Sequence, residues 1–198
     1  MFFKMRSAYF AAALSTALTV AAVASAAYKA DNAEVLIHAK GPLGLNIDGK
    51  SKKLVIEENE KTITFRTFLN TIDTGNGMRN THMQKRLGRG FKLDPEKKEY
   101  VEHDIQNISL SVPKDKIDEK KGGTVPGSLN FHGVTKPVSV DYSVKDGKRV
   151  EAKFSFNLLE HFPLVKEKFT QEDKDKLLCN TGVCAKPEVK VEVNFDFK

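Results

Sequence analysis

The sequence contains no tryptophan and only two cysteines among its 198 residues. No disulfide framework can therefore stand in for a core, and the fold must rest on apolar packing. There is no GxSxG stretch and no GxGxxG turn after a strand. The signatures of a nucleophile elbow and of a dinucleotide-binding turn are thus missing. His38, His82, His103, His132 and His161 stand apart, without the spacing of metal ligands. We expect no catalytic set, no metal site and no required cofactor. Lysine and arginine outnumber the acids by six, yet the signs are interspersed, as in Lys52-Lys53 ahead of Glu57-Glu58. A nucleic-acid partner needs a clustered basic patch, and a mixed solvated surface fits this pattern better.

Long apolar runs are also missing, with one exception. Residues 8–23 carry no charge, follow Lys4 and Arg6, and lead into Ala24-Ser25-Ala26. A cationic start, a short apolar stretch and a small-x-small site form a secretory signal. The stretch is short for a full membrane span. We expect cleavage after Ala26, a single mature domain over residues 27–198 with no integral membrane segment, and a periplasmic or secreted location. Loss of Lys4 and Arg6 would leave a net charge of about +4. Export bears on the cysteines. Cys179 and Cys184 are separated by four residues, so an oxidising compartment favours a local disulfide, with two free thiols as the alternative. The spacing is not that of a redox CxxC pair.

What remains is dominated by period two. Val189, Val191, Val193, Phe195 and Phe197 alternate with polar residues. So do Ala152, Phe154, Phe156 and Leu158, and Val138, Val140, Tyr142 and Val144. Ile63, Phe65, Thr67 and Leu69 alternate less cleanly, because Phe68 breaks the pattern. Each run predicts a strand with one dry and one wet face. Shorter candidates are residues 35–39, 53–57, 105–112 and 128–131. Asp146-Gly147 suits a tight hairpin, and residues 58–60 suit another. Gly122-Gly123 and Pro126-Gly127 read as a loop region. Eight or so short strands with short links argue for an all-β antiparallel fold. Residues 75–89 leave room for a short helix, and Thr170 with Asp173 could cap a second one before Leu178. The dry faces must meet, and a barrel or a sandwich would satisfy them equally.

Two stretches then resemble a known family. Residues 74–83 (TGNGMRNTHM) resemble the TGN-xx-RD-x-HM stretch of YceI-like proteins. Residues 127–138 (GSLNFHGVTKPV) resemble that family's G-x-L-x-x-HGVTKPV stretch. The order of leader, strands and motifs agrees along nearly the whole mature chain. The resemblance implies an extended, lipocalin-like, eight-stranded antiparallel barrel with one or two short helices. It also implies an isoprenoid lipid, a polyprenyl chain or isoprenoid quinone, held in the lumen. The chain departs from the family pattern at Asn80, where an acid is usual. It departs again over the charged residues 92–100 and over the cysteine-bearing residues 160–185.

On that reading Ile63, Phe65, Leu69, Leu129, Phe131, Val138, Val140, Tyr142, Phe154, Phe156, Val191, Val193 and Phe195 point inward and line the lumen. Pattern alone would assign the same residues to an ordinary packed core. Arg79, His82, His132 and Lys136 are candidates for the entrance, where a quinone or phosphate head would sit. For residues 132–138 a bend or bulge between strands is the structural reading. The expected function is a periplasmic carrier or buffer of an isoprenoid lipid. The alternative is an exported barrel with a filled core that acts through its loops, as an interaction or stress-related protein. An enzyme acting on lipid is the weakest reading. A homodimer stays open, since composition does not say whether the short helices dock a second subunit.

Overall fold

The computed structural model describes residues 26–87, 89–93, 100–102, 107–118, 120–161, 178–180 and 183–196. In chain order, β1 (Ala26–Lys29), β2 (Asp31–Lys40), β3 (Asn46–Ser51), β4 (Val55–Glu58) and β5 (Thr62–Phe68) precede the helix α1 (Gly77–Leu87). A separate small pair follows, β6 (Arg89–Leu93) with β7 (Tyr100–Glu102). Then come β8 (Asn107–Pro113), β9 (Gly122–Phe131), β10 (Val134–Lys145) and β11 (Arg149–Asn157). A two-residue pair, β12 (Cys179–Asn180) with β13 (Val183–Cys184), precedes the last strand, β14 (Glu188–Asp196). The main sheet runs β1-β4-β5-β8-β9-β10-β11-β14-β2-β3. All of its pairings are antiparallel.

The alternation read from the sequence explains how the sheet curls. In β14, Val189, Val191, Val193 and Phe195 are buried while Lys190 is exposed. In β9, Val125, Leu129 and Phe131 turn inward. The inward faces form one apolar core. The outward faces carry cross-strand ion pairs, such as Lys153–Glu192 at 3.0 Å and Arg66–Glu57 at 2.8 Å. This is the mixed, solvated surface that the charge pattern implied.

Several expectations are corrected. The eight-stranded ring does not form as one unbroken set of ladders: β1 and β3 end the sheet order, and the sheet is a curled one of ten strands. Two interruptions cause this, at Ala30 and at residues 52–54. Beside the first, Asn32 takes a left-handed backbone (φ 49°), and the β14–β2 register shifts between Asn194 and Asp196. A single hydrogen bond spans the two interruptions, from Ala30 N–H to Leu54 O at 3.4 Å. The loop expected at residues 122–127 is instead the first half of β9. Gly122 and Gly127 are there for close approach. A Cβ on Gly122 (φ 86°) would lie 2.4 Å from the Tyr142 carbonyl oxygen, and one on Gly127 would lie 2.9 Å from Leu110. The bend expected over residues 132–138 shrinks to a two-residue turn. His132 (φ 55°) and Gly133 (φ 73°) both take left-handed conformations, as tight hairpins require. Pro137 then sits in an unbroken β9–β10 ladder opposite Ser128. The leader through Ser25 and the second helix begun by Thr170 lie outside the described residues.

Candidate ligand-binding cavity

One end of the curled sheet encloses a cavity of about 400 Å³, within the range of small-molecule sites. Its walls come from strand positions on the inward face. These include Val35, Ile37 and Ala39 of β2, Phe65 and Thr67 of β5, and Ile108 and Leu110 of β8. Leu129 and Phe131 of β9, Phe154 and Phe156 of β11, and Val189, Val191 and Val193 of β14 complete them. Thr67 is the polar residue within the wall. Its hydroxyl donates to the Lys53 carbonyl at 2.8 Å, so it presents no unsatisfied donor to the lumen.

Toward the opening the lining changes chemistry. Thr74, Arg79, His82, Met83 and Leu87 lie on or beside α1, with Pro42, Ala185 and Lys186 nearby. The exposed members of the lining are Arg79, His82 and Lys186, which locates the mouth. Among the described residues no carboxylate lines the cavity.

The helix is held at the mouth by a polar staple. Asn76 caps it, its Oδ1 accepting from Arg79 N–H at 3.0 Å. Asn80 Oδ1 accepts from the Thr74 hydroxyl at 2.6 Å and from Thr74 N–H at 2.8 Å. Asn80 Nδ2 donates to Asp73 Oδ1 at 2.7 Å. Asp73 in turn exchanges two backbone hydrogen bonds with Lys50 of β3, both 2.8 Å. The Asn80 amide, and after it Gly75 N–H, holds the Asp73 carboxyl below its ordinary range. The residue that departs from the family pattern thus turns to Thr74 and Asp73, which supplies an acid from a neighbouring position.

The sequence candidates distribute unevenly. Phe65, Leu129, Phe131, Phe154, Phe156, Val191 and Val193 line the cavity. Ile63, Val140, Tyr142 and Phe195 border a second space of about 50 Å³ toward the other end. Phe65, Leu110 and Val193 are shared by both spaces. Phe65 and Phe195 meet between them, with ring centroids 5.5 Å apart. Leu69 is buried and Val138 half-buried, but neither lines the cavity. Of the four entrance candidates, Arg79 and His82 stand at the mouth. His132 and Lys136 do not line it, because the turn at residues 132–133 folds the His132 ring onto Phe131, 4.0 Å between centroids.

Sequence reasoning did not name Leu54, Ile72, Met83, Leu87, Leu158 or Leu178 as lining. Ile72, Met83, Leu87 and Leu178 sit in turns and helical segments, where no period-two signal exists, while Leu54 and Leu158 lie at the ends of alternating runs. Sequence reasoning placed strands over residues 35–39 and 105–112 but did not name Val35, Ile37, Ala39, Ile108 or Leu110 as lining either. His161 was also missed as a structural residue. It is 1% exposed, its Nδ1–H donates to the Val134 carbonyl at 3.1 Å, and its ring meets Phe156 edge-on at 5.3 Å. Burial pushes its pKa below the usual value. Among the described residues, no group of three or more His, Cys, Asp or Glu gathers as a metal site, and no helix is long and apolar enough to cross a membrane.

Comparison with known proteins agrees with this geometry. Among curated proteins nothing matches the chain. A polyisoprenoid binding domain from Saccharophagus degradans, implicated in plant cell wall breakdown, superposes with a TM-score of 0.58 at 12% identity, over 87% of this chain and 98% of that one. BcnA of Burkholderia cenocepacia superposes with a TM-score of 0.52 at 12% identity, over 84% of this chain and 96% of that one. At such identity these likenesses speak for the fold. The sequence itself matches the family described as the YceI-like domain over residues 28–197, so the chain belongs to the YceI-like family.

Proposed function

We propose that the chain binds an isoprenoid lipid, a polyprenyl chain or isoprenoid quinone, and serves as its periplasmic carrier or buffer. The observation that carries this reading is the cavity of about 400 Å³, whose described walls are apolar and whose described cations stand at the mouth. A long branched hydrocarbon needs a dry tube and no catalytic group. Each buried methylene-sized unit contributes roughly 0.8 kcal/mol, less the entropy of ordering the chain. Arg79, His82 and Lys186 suit a head group that accepts hydrogen bonds, whether quinone carbonyl or phosphate. The Saccharophagus degradans domain, named for polyisoprenoid binding, shares the fold. A filled barrel acting through its loops would have no use for this space, and an enzyme would need reactive groups facing it.

Two finer points belong to the same reading. Cleavage after Ala26 would place the protein in the periplasm. There Cys179 and Cys184, opposite each other in the β12–β13 register, would pair as a disulfide. Alkylation of denatured, unreduced protein should then label neither thiol; labelling of both would refute the pairing.

Organic extraction of the purified protein, followed by mass spectrometry, tests the function. A co-purified polyprenyl compound is the expected result. An empty extract, together with no uptake of added quinone, would sink the carrier reading.

A further inference from the structure

We propose that the rim around the cavity mouth docks on an anionic lipid bilayer, with Leu43 and Leu45 as its apolar tips. Among the described residues the large hydrophobics most open to water are Leu43 (88% exposed), Met78 (72%) and Leu45 (66%). Scattered exposed leucines need no explanation, but these are not scattered. Leu43 and Leu45 belong to the β2–β3 turn, whose Pro42 lines the cavity. Met78 precedes Arg79, which lines it from α1. The tips therefore lie on two elements that border one opening.

The β2–β3 turn is built to hold them out. Gly41 N–H bonds to the Leu45 carbonyl at 2.7 Å, Gly44 N–H to Gly41 O at 3.1 Å, and Leu45 N–H to Pro42 O at 3.3 Å. A Cβ on Gly41 would come within 2.7 Å of Ile47 Cδ1, so the turn sits tightly on the wall. Leu43 itself takes a left-handed backbone, φ 58° and ψ 20°. Glycine or asparagine would relax there, whereas leucine is disfavoured. A strained, solvent-facing leucine contributes nothing to the core, and such strain is a mark of functional positions.

The charge around the tips selects the partner. Exposed Arg79, His82 and Lys186 ring the mouth, and Lys40 leads into the turn. The α1 sequence holds no carboxylate. Asp48 pairs with His38 at 2.8 Å and Asp73 accepts from Asn80. Apolar tips set among cations are the composition of an interfacial anchor for anionic head groups. Three separate side chains offer little of the contiguous area a stable protein interface buries. The docking stands on the rim alone; the lipid-carrier reading supplies its use, passage of a lipid between bilayer and lumen.

Flotation of the full protein with vesicles tests the proposal. The vesicles are phosphatidylcholine mixed with phosphatidylglycerol, and phosphatidylcholine alone. The wild-type chain should float with the mixed vesicles, less with the neutral ones, and progressively less as salt rises. The double variant Leu43→Asn/Leu45→Ser should bind at least about tenfold more weakly, having lost two apolar side chains. Asparagine tolerates the left-handed backbone, so the variant should unfold at the wild-type temperature or above. Neither residue lines the cavity, so uptake of quinone from detergent should match wild type. A wild-type chain that ignores anionic vesicles, or a double variant that floats equally well, overturns the docking surface. A chain that floats as expected but takes no quinone from detergent supports the docking while sinking the carrier reading.

Discussion

At the scale of single residues, direction along a strand decides what a side chain can do. Phe156 faces the cavity and Ser155, its neighbour, faces water. Phe156→Asp should reduce lipid loading by at least about tenfold, since an unpaired carboxylate in an apolar wall is costly. Ser155→Asp should leave loading unchanged, as measured by extraction and quantitation of bound lipid. Equal losses in both folded variants would refute the inward assignment. His161 gives a pH dependence with a defined sign. Its folded pKa lies below the ordinary value of 6.5, chiefly through burial. The unfolded chain therefore takes the proton first, and the stability His161 supports is whole above about pH 6.5 and is lost as pH falls through its folded pKa. Urea midpoints should fall between about pH 7.5 and pH 5.5, and His161→Gln should flatten that fall, since carboxylates respond only at lower pH. The phenylalanines were legible in the sequence because they obey period two. His161 was not, because the Val134 carbonyl and the Phe156 edge it meets come from distant strands.

At the scale of elements, the helix over the mouth depends on a staple rather than on its own apolar face. Asn80 donates to Asp73, which is locked to β3. Asn80→Asp would restore the acid usual at that position but set it against Asp73. The variant should lower the thermal midpoint at neutral pH, and the loss should shrink below about pH 4 as the carboxylates protonate. An unchanged midpoint at neutral pH would remove the staple from the argument. The strands themselves were readable in kind but not always in length. Val35, Val138 and Val189 mark theirs by alternation, whereas Gly122, Gly123 and Pro126 carry turn chemistry and still sit in β9. The tight passage beside Tyr142 accounts for Gly122, as that beside Leu110 does for Gly127, and no local rule anticipates a neighbour so distant in sequence.

At the scale of the whole molecule, a lipid in the lumen would bind the folded state alone. Loaded protein should therefore be stabilised over delipidated protein, by about 2.7 kcal/mol at free ligand 100-fold above the dissociation constant. Scanning calorimetry on extracted and reloaded samples checks this, and coincident transitions would count against lumen binding. The sequence by itself determined the antiparallel all-β class, the inward alternation of β11 and β14 and the family, because those depend on period, turn chemistry and contiguous motifs. Tertiary structure alone decided that the inward faces part at one end to leave about 400 Å³ and close at the other around Phe65 and Phe195. It alone decided that Arg79 and His82 reach the mouth while His132 does not. The physical reason is that a hollow and a packed core use the same alternating residues, and only the curvature of the sheet and the placing of α1 set the distance between opposing walls.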